Sequence, residues 1–386
     1  MLNKLLLTIL ALEITLLFSL IPFPGPKSGN QSLDESIKMA SQWYLNDANP
    51  DTGLLNYQYD PIGDTYSTKN NHIRQLASLW TLTELKKYTG DKNLEKLIDK
   101  NFDYYLGYKA QKENYSYLKI DEPKIAYNAF IIMALINSPS PEYDELAKEF
   151  GDGIVTVQRE NGSYSTDFEK DSDDGVQYYP GEAMLALMKL YEATDDKRYL
   201  ESVKKAFPYY REYWHENKNT AMVPWHTQVY YLLYQHTKDE SIPPYVFEMN
   251  DWIIDNFQLL TCPDIEKIGG FPKNDPRNLT GFVLEGLVDA YKLADEIAIK
   301  AEAEGPEDDP SRFEQSRRKK YKNSVELARD FVLRSQYIKS DTFSRFKNSR
   351  RVIGGFKASI KDPRVRIDYT QHAVMALIKL QRLSKQ

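Results

Sequence analysis

With 386 residues, of which 41% are hydrophobic and 27% charged, the chain has the composition of an ordinary folded protein, which argues against intrinsic disorder. A formal net charge of −6 gives no reason to expect nucleic acid as a partner. The single cysteine, Cys262, excludes an intrachain disulfide framework and a zinc site built from thiolates.

The N-terminus carries an apolar run, Leu5 to Phe23, that is interrupted by Glu13 and followed by a proline-rich breaker at residues 22–26. Lys4 precedes the run. This pattern is typical of a secretory signal peptide or an uncleaved membrane anchor. We therefore predict that residues 1–29 lie outside the fold. The folded part is expected to be extracytoplasmic, either secreted or anchored to a membrane through this segment only.

The next predicted element is a helix that follows a capping-box pattern, Ser32 to Glu35, and continues to about residue 46. No helical run precedes it to serve as its partner. The last apolar run, from about residue 368 to residue 383, likewise has no run after it. We expect these two helices to pair with each other and to close a circle.

Between these two ends lie repeated amphipathic runs whose first residues are separated by 53, 54, 46, 54 and 90 positions. This spacing suits a repeat made of two-helix hairpins. A polar stretch at residues 301–320 is predicted to be an insertion that explains the longest step. If the hairpins form a ring, the polar residues that open the runs meet around one mouth. The six openings are Gln75, Asn128, Glu182, Gln228, Phe282 and His372, and all of them except Phe282 are polar.

Five loops ahead of these runs combine a glycine or other small residue with an aromatic residue, as in Gln158-Arg-Glu-Asn-Gly-Ser-Tyr164 and Gly354-Gly-Phe356. The Gln-x-x-x-Gly-x-aromatic loops and the double ring of helices resemble the α/α-toroid group. That group includes terpene cyclases, prenyltransferase β subunits and many six-hairpin carbohydrate-active enzymes. The resemblance implies an all-α fold, an (α/α)6 toroid or barrel of six helical hairpins, with residues 30–386 as one domain. It specifies architecture better than chemistry.

The mouth at the N-termini of the inner helices is the predicted site. Helix N-termini present unpaired N–H groups and a partial positive charge, which favours anionic or hydroxyl-rich ligands. Arginines fall at these same positions and favour an anionic sugar such as a uronate, although ion pairing on a solvated rim is the alternative for each. The candidate substrate-binding residues are Arg74, Gln75, Asn128, Tyr178, Tyr179, Trp225, His226, Gln228, Arg277 and Arg366.

The sharpest local pattern is Tyr178-Tyr179-Pro180-Gly181-Glu182. Proline suits the first helical turn, and glycine allows a neighbouring element to come close. Glu182 would then be partly desolvated, which raises a carboxyl pKa toward the range of a general acid. An ordinary glutamate that interacts with the helix dipole is the alternative.

A second group of candidate catalytic residues lies near the C-terminus. Asp368 and His372 are four residues apart, so one helical face can carry both, and the aspartate could orient the imidazole for proton transfer. Glu285, inside its own helix, completes a set of carboxylates from which an acid and a base or nucleophile could come. Glycoside hydrolysis needs two such groups about 5–9.5 Å apart. No ligand spacing indicates a metal, and no cofactor is predicted.

These residues predict an exported enzyme that acts on an anionic glycan by carboxylate and histidine acid–base catalysis, as a glycoside hydrolase, a lyase or a uronate epimerase. Two alternatives remain. Asp171-Ser-Asp-Asp174 matches the acid motif of class II terpene cyclases, so an isoprenoid-handling protein is one of them, to be tested by whether Asp173 and Asp174 face an apolar cavity. A non-catalytic glycan-binding or envelope protein is the other.

Overall fold

A computed structural model describes residues 32–304, 309–339, 341 and 343–385. In this part of the chain, apolar helices alternate with more polar ones. The apolar helices form the inner layer. They are α2 (His72–Thr89), α4 (Ile125–Ile136), α6 (Tyr179–Thr194), α8 (Met222–Thr237), α10 (Leu279–Glu304) and α12 (Ile367–Leu383). The outer helices are α1 (Leu33–Asp47), α3 (Asn93–Leu106), α5 (Pro141–Thr156), α7 (Lys197–Glu216), α9 (Ile242–Phe257) and α11 (Asp309–Ser335).

The inner helices form a closed ring. Each contacts the next in chain order, from α2 through α4, α6, α8 and α10 to α12, and α12 contacts α2. In α4 every residue from Ile125 to Leu135 is buried, as expected for a helix that is apolar on all sides. The ring confirms the predicted (α/α)6 toroid.

The two ends of the toroid meet as the sequence predicted. Helix α1, which begins with the capping box of Ser32 and Glu35, packs against both α12 and α2. Strand β1 (Gln58–Asp60) pairs antiparallel with β2 (Thr65–Tyr66) and with β5 (Val365–Arg366), which leads directly into α12. Strands β3 (Lys109–Lys112) and β4 (Tyr115–Leu118) form a separate hairpin.

In the repeated loops, the glutamine side chain holds the loop against the backbone of an outer helix. Gln158 donates one hydrogen bond to the carbonyl of Gly162 and another to that of Ser202 in α7. Gln258 and Gln336 make the same pair of bonds, to Gly269 and Ser324 and to Gly354 and Ser36.

Glycine is required in these loops for two reasons. At Gly162 φ is +94°, and a Cβ atom there would lie 2.3 Å from the carbonyl oxygen of Lys205. The motif therefore builds the architecture, and its residues bind the chain to itself.

Residues 301–304 and 309–320 belong to helices α10 and α11, so the predicted polar insertion lengthens a hairpin instead of forming an irregular excursion. Within the described residues, no helix is both long enough and apolar enough to span a membrane. The predicted signal or anchor at residues 1–29 lies outside the described part of the chain.

Candidate active site

A cavity with a volume of about 470 Å³ opens at the N-terminal ends of the inner helices. Its walls come from the N-terminal parts of all six inner helices and from the loops before them. The lining includes Arg74 of α2, Tyr179 and Glu182 of α6, Trp225 of α8, Leu279 and Phe282 of α10, and Asp368 and His372 of α12. The cavity thus lies at the predicted mouth.

Glu182 lies one turn inside α6, where Pro180 occupies the first turn as the sequence suggested. A Cβ atom at Gly181 would lie 2.7 Å from Cβ of Trp225, so the glycine lets α6 approach α8 closely. Glu182 is only 5% exposed, and its Oε2 has no hydrogen-bond partner among the described residues. Burial raises the pKa of this carboxyl to about 8. Glu182 is therefore mostly protonated at neutral pH.

His372 lines the cavity and is oriented by a carboxylate from another helix. Its Nδ1 lies 2.7 Å from Oε2 of Glu285, whose side chain is fully buried in α10. An ionised carboxylate accepts hydrogen bonds and cannot donate one, so we assign the proton of the imidazole to Nδ1. Nε2 then carries a lone pair. The imidazole ring packs against Phe282 at 4.7 Å and Trp225 at 5.9 Å between ring centres. This geometry suits a general base.

Asp368 does not orient His372, in contrast to the expectation from their spacing. It accepts hydrogen bonds from Arg366, with Nη2 at 2.8 Å, and pairs with Nε of Arg74 at 3.0 Å. The two guanidinium groups also lie over aromatic rings, Arg74 over Tyr57 and Arg366 over Tyr369. We call Arg74, Asp368 and Arg366 the arginine triad. It carries one net positive charge into the cavity.

Aromatic side chains form the remaining walls. Trp225 is 2% exposed and packs between Phe130 and Phe282, with ring centres 5.9 and 5.4 Å away. Tyr178 is 40% exposed at the rim, and Tyr179 is half-buried beside it, where burial raises its pKa to about 12. Such surfaces suit stacking on sugar rings.

Four predicted substrate-binding residues lie outside this cavity's lining, and their side chains are engaged by the fold. Gln75 exchanges hydrogen bonds with the backbone N–H and C=O of Leu55. Asn128 accepts from the N–H of Leu118 and donates to two carbonyls. Gln228 accepts from Lys379 and donates to a carbonyl in its own helix.

The fourth of these residues, His226, is 1% exposed and packs behind Gly181. Its Nδ1 lies 3.1 Å from the hydroxyl of Tyr230. Burial lowers its pKa to about 3, so the ring is neutral at physiological pH. It supports the wall that carries Trp225.

Arg277 lines the rim of the cavity, where it is half-exposed and forms an ion pair with Asp275. Sequence reasoning missed several lining residues, namely Asn71, Phe130, Asn278, Leu279 and Tyr369. Their position in the sequence could have identified most of them, because they flank the same helix starts as the predicted site residues.

The acidic loop that matches the terpene-cyclase motif does not face the cavity. Asp171 and Asp173 are exposed and both pair with Arg159. Asp174 is also exposed. A carboxylic acid that protonates an alkene must point into an apolar chamber, so the condition set for the isoprenoid alternative is not met in this structure. Among the described residues, no cluster of three or more His, Cys, Asp or Glu side chains suits a metal ion.

No protein-family model and no curated protein sequence matches the chain. Solved structures do. The cellobiose 2-epimerase from Bacillus thermoamylovorans superposes with a TM-score of 0.64 and 12% identity, over 90% of this chain and 98% of that one. A D-mannose isomerase gives 0.61 and 14% over 90% and 97%. The GH76A α-1,6-mannanase from Salegentibacter sp. gives 0.59 and 12% over 91% and 100%.

These similarities establish the class of fold. The chain is an α/α toroid of six helical hairpins like those of the matched carbohydrate enzymes. At 12–14% identity they show the fold alone.

Proposed function

We propose that this protein is a carbohydrate-active enzyme that removes a proton from a carbon beside a carbonyl or carboxylate group of an anionic sugar. The observation that carries this proposal is the placement of a protonated acid, Glu182, and an oriented base, His372, in one cavity. Both residues adjoin Trp225. Glu182 follows Gly181, which touches the tryptophan, and the His372 ring packs against the indole.

Each group has a defined part in the reaction. Nε2 of His372 takes the proton from the carbon, and the electron pair moves toward the neighbouring oxygen. Glu182 donates its proton, or a hydrogen bond, to the oxygen on which negative charge develops. Return of a proton from solvent water to the opposite face of the carbon, with release of the His372 proton to water, gives an epimer. Loss of the glycosidic oxygen from the adjacent carbon, with transfer of the His372 proton to that oxygen, gives a lyase product. In both cases Glu182 recovers its proton as the carbonyl or carboxylate re-forms.

The arginine triad supports an anionic substrate. Each guanidinium has five N–H donors, and the bonds to Asp368 and Tyr57 occupy only some of them. The remaining donors can hold a carboxylate. Neutralising a uronate carboxylate in this way also makes the neighbouring C–H bond more acidic. We therefore favour a uronic-acid-bearing sugar as the substrate.

Hydrolysis is the less favoured chemistry because it needs a second available carboxylate. Among the described residues that line the cavity, the carboxylates are Glu182 and Asp368, and both oxygens of Asp368 are bound by arginines. A variant of the matched mannanase with two adjacent aspartates replaced is described as inactive. Among the residues that the structure describes, no adjacent pair of acids lines this cavity. An epimerase and an isomerase among the matched structures also fit proton transfer.

We place this activity outside the cytoplasm, on the basis of the apolar run at residues 5–23. A non-catalytic glycan-binding protein is the alternative, and the same experiment addresses it.

The test is incubation of the full chain in deuterated water with a panel of uronate-bearing and neutral sugars, followed by mass spectrometry. We expect either deuterium on carbon without cleavage, which shows an epimerase, or cleavage without addition of water, which shows a lyase. Neither change should occur with Glu182→Gln or His372→Gln. Cleavage with addition of water and no deuterium at carbon would show a hydrolase and overturn the proposal. Binding of the sugars without any change in mass would show a binding protein.

A further inference from the structure

A second, smaller cavity of about 160 Å³ lies inside the ring, beyond the candidate active site. It is lined by later turns of the same inner helices. On α12, for example, Lys379 lies seven residues after His372, which is about two turns toward the C-terminus.

The walls of this cavity carry more cations than anions. Arg382 pairs with Glu84 at 2.8 Å, and Lys292 lies 3.3 Å from Asp289. The charged side chains in the lining are Glu84, Lys189, Asp289, Lys292, Lys379 and Arg382, so four cations face two carboxylates.

Lys379 is bound on three sides. Its ammonium group donates to Asp289, to the side chain of Gln228 at 2.7 Å and to the carbonyl of Glu285 at 3.0 Å. Lys189 is different. It is partly buried and makes no direct ion pair or hydrogen bond among the described residues, although its charge lies close enough to Glu84 to lower the pKa of that carboxyl.

Helix dipoles do not account for this excess of cations. The partial negative charge at a helix C-terminus falls off within the last turn. Lys189 lies five residues before the end of α6, and Lys292 is in the middle of α10, which continues to Glu304. Of the four cations, Arg382 is the one in the last turn of its helix.

An independent observation concerns Trp80, which also lines the cavity. Its side chain is 1% exposed, and the indole N–H is buried without a hydrogen-bond partner among the described residues. This group can only donate, so its missing partner must be an acceptor. A buried donor without a partner destabilises the fold, and an acceptor in the cavity would remove this cost.

We propose that this cavity binds a small oxyanion with the size and charge of inorganic phosphate. Lys189 supplies a positive charge that no carboxylate contacts directly, and Trp80 supplies a neutral donor. The other three cations pair with the two carboxylates of the lining, so the cavity keeps a net positive charge. This inference does not depend on the proposed catalytic activity, because it concerns different residues and is tested by binding alone.

The experiment is isothermal titration calorimetry of the full chain with inorganic phosphate at constant ionic strength. We expect one saturable site. Lys189→Gln should weaken it about tenfold, as expected for the loss of one charged hydrogen-bond donor. Trp80→Phe, which keeps a ring but removes the donor, should weaken it as well.

Two controls define where the anion binds. Lys87→Gln makes the same charge change on the exposed face of α2 and should leave phosphate affinity unchanged. Arg366→Gln, in the candidate active site, should also leave it unchanged.

Absence of saturable binding, or equal affinity in the wild type and Lys189→Gln, would overturn the proposal. So would loss of binding in Arg366→Gln alone, because the anion would then occupy the first cavity. A hexose phosphate serves as a second probe. Weaker binding of this probe than of phosphate is expected if the ligand is the free anion, and tighter binding would identify a phosphorylated compound with the same chemistry.

Discussion

Nδ1 of His372 and Oε2 of Glu285 lie 2.7 Å apart, although 87 residues separate them in the chain. The carboxylate is fully buried, and the imidazole reaches the cavity. A buried acceptor in this place fixes both the tautomer and the orientation of the ring. The contact also joins α10 to α12, so the proposed base depends on two helices.

Replacing Glu285 with Gln should lower kcat roughly 100-fold or more, because the amide no longer stabilises the protonated imidazole or enforces its tautomer. KM should change little, since Glu285 does not line the cavity. Steady-state kinetics on the sugar identified by deuterium exchange would measure both. Glu296→Gln, a partly exposed glutamate of the same helix, is the matched control. Equal loss of kcat in both variants would mean that the effect is a general one on α10.

Activity should fall as the pH rises through about 8. The proposed acid is the protonated form of Glu182, whose pKa burial raises to about 8. A pH profile of kcat would show this limb in the wild type. Glu182→Gln should reduce turnover to background at every pH. Full activity at pH 10 in the wild type would remove Glu182 from the role of acid.

Stability should also depend on Glu182. Between pH 4.5 and 8 the unfolded chain has lost this proton while the folded chain keeps it, so the free energy of unfolding decreases as the pH rises. The total effect is on the order of a few kcal/mol. Urea unfolding at several pH values would reveal it, and the dependence should be smaller in Glu182→Gln.

The effect of His226 on the free energy of unfolding has the opposite dependence on pH, because burial lowers its pKa to about 3 from the ordinary 6.5. The stability that the neutral imidazole contributes is lost as the pH falls from 6.5 toward 3. The comparison for Glu182 is therefore cleanest between pH 6.5 and 8. An identical slope there in the wild type and in Glu182→Gln would contradict the assignment.

Arg366→Gln should raise KM for a uronate-bearing sugar about 10- to 100-fold, because it removes a charge-assisted contact to the carboxylate. The KM for a neutral sugar should change much less. Competition binding with matched acidic and neutral sugars would measure the difference. Arg364→Gln is the control, since Arg364 is bound by Asp362 and does not line the cavity. Equal weakening of both sugars by Arg366→Gln would argue against an anionic substrate.

Asn128→Ala should destabilise the fold by about 2–4 kcal/mol, because it leaves one buried N–H and two carbonyls without their present partners. The KM of the folded variant should stay close to that of the wild type. Urea unfolding together with kinetics separates the two effects. A large increase in KM with unchanged stability would return Asn128 to the substrate-binding group.

The periodicity of the sequence predicted the ring, because apolar helices at regular spacing have few other ways to bury their surfaces. It also predicted which end of the ring would hold the cavity, and Glu182, His372, Arg74, Arg366 and Trp225 all lie there. Their chemical roles are still predictions. The periodicity does not specify the path of each loop.

Gln75 and Asn128 occupy the same helical position as Glu182, yet loop backbones pass close to them and take up their hydrogen bonds. The hydrogen-bond partner of His372 could not be predicted from the sequence either. A spacing of four residues made Asp368 the natural choice, but two arginines bind Asp368 more strongly than a neutral imidazole would. Glu285 comes from a helix whose distance in sequence gives no hint of contact.

The closure of the ring by α12 has a consequence for the order of events during biosynthesis. Asp368 and His372 lie on α12 and Arg366 just before it, whereas Arg74 and Glu182 precede Arg366 by 292 (366 − 74) and 184 (366 − 182) residues. The arginine triad and the pairing of the proposed base with Glu285 therefore form only after α12 has been synthesised and packed. We expect a nascent chain that lacks α12 to show none of the proposed activity.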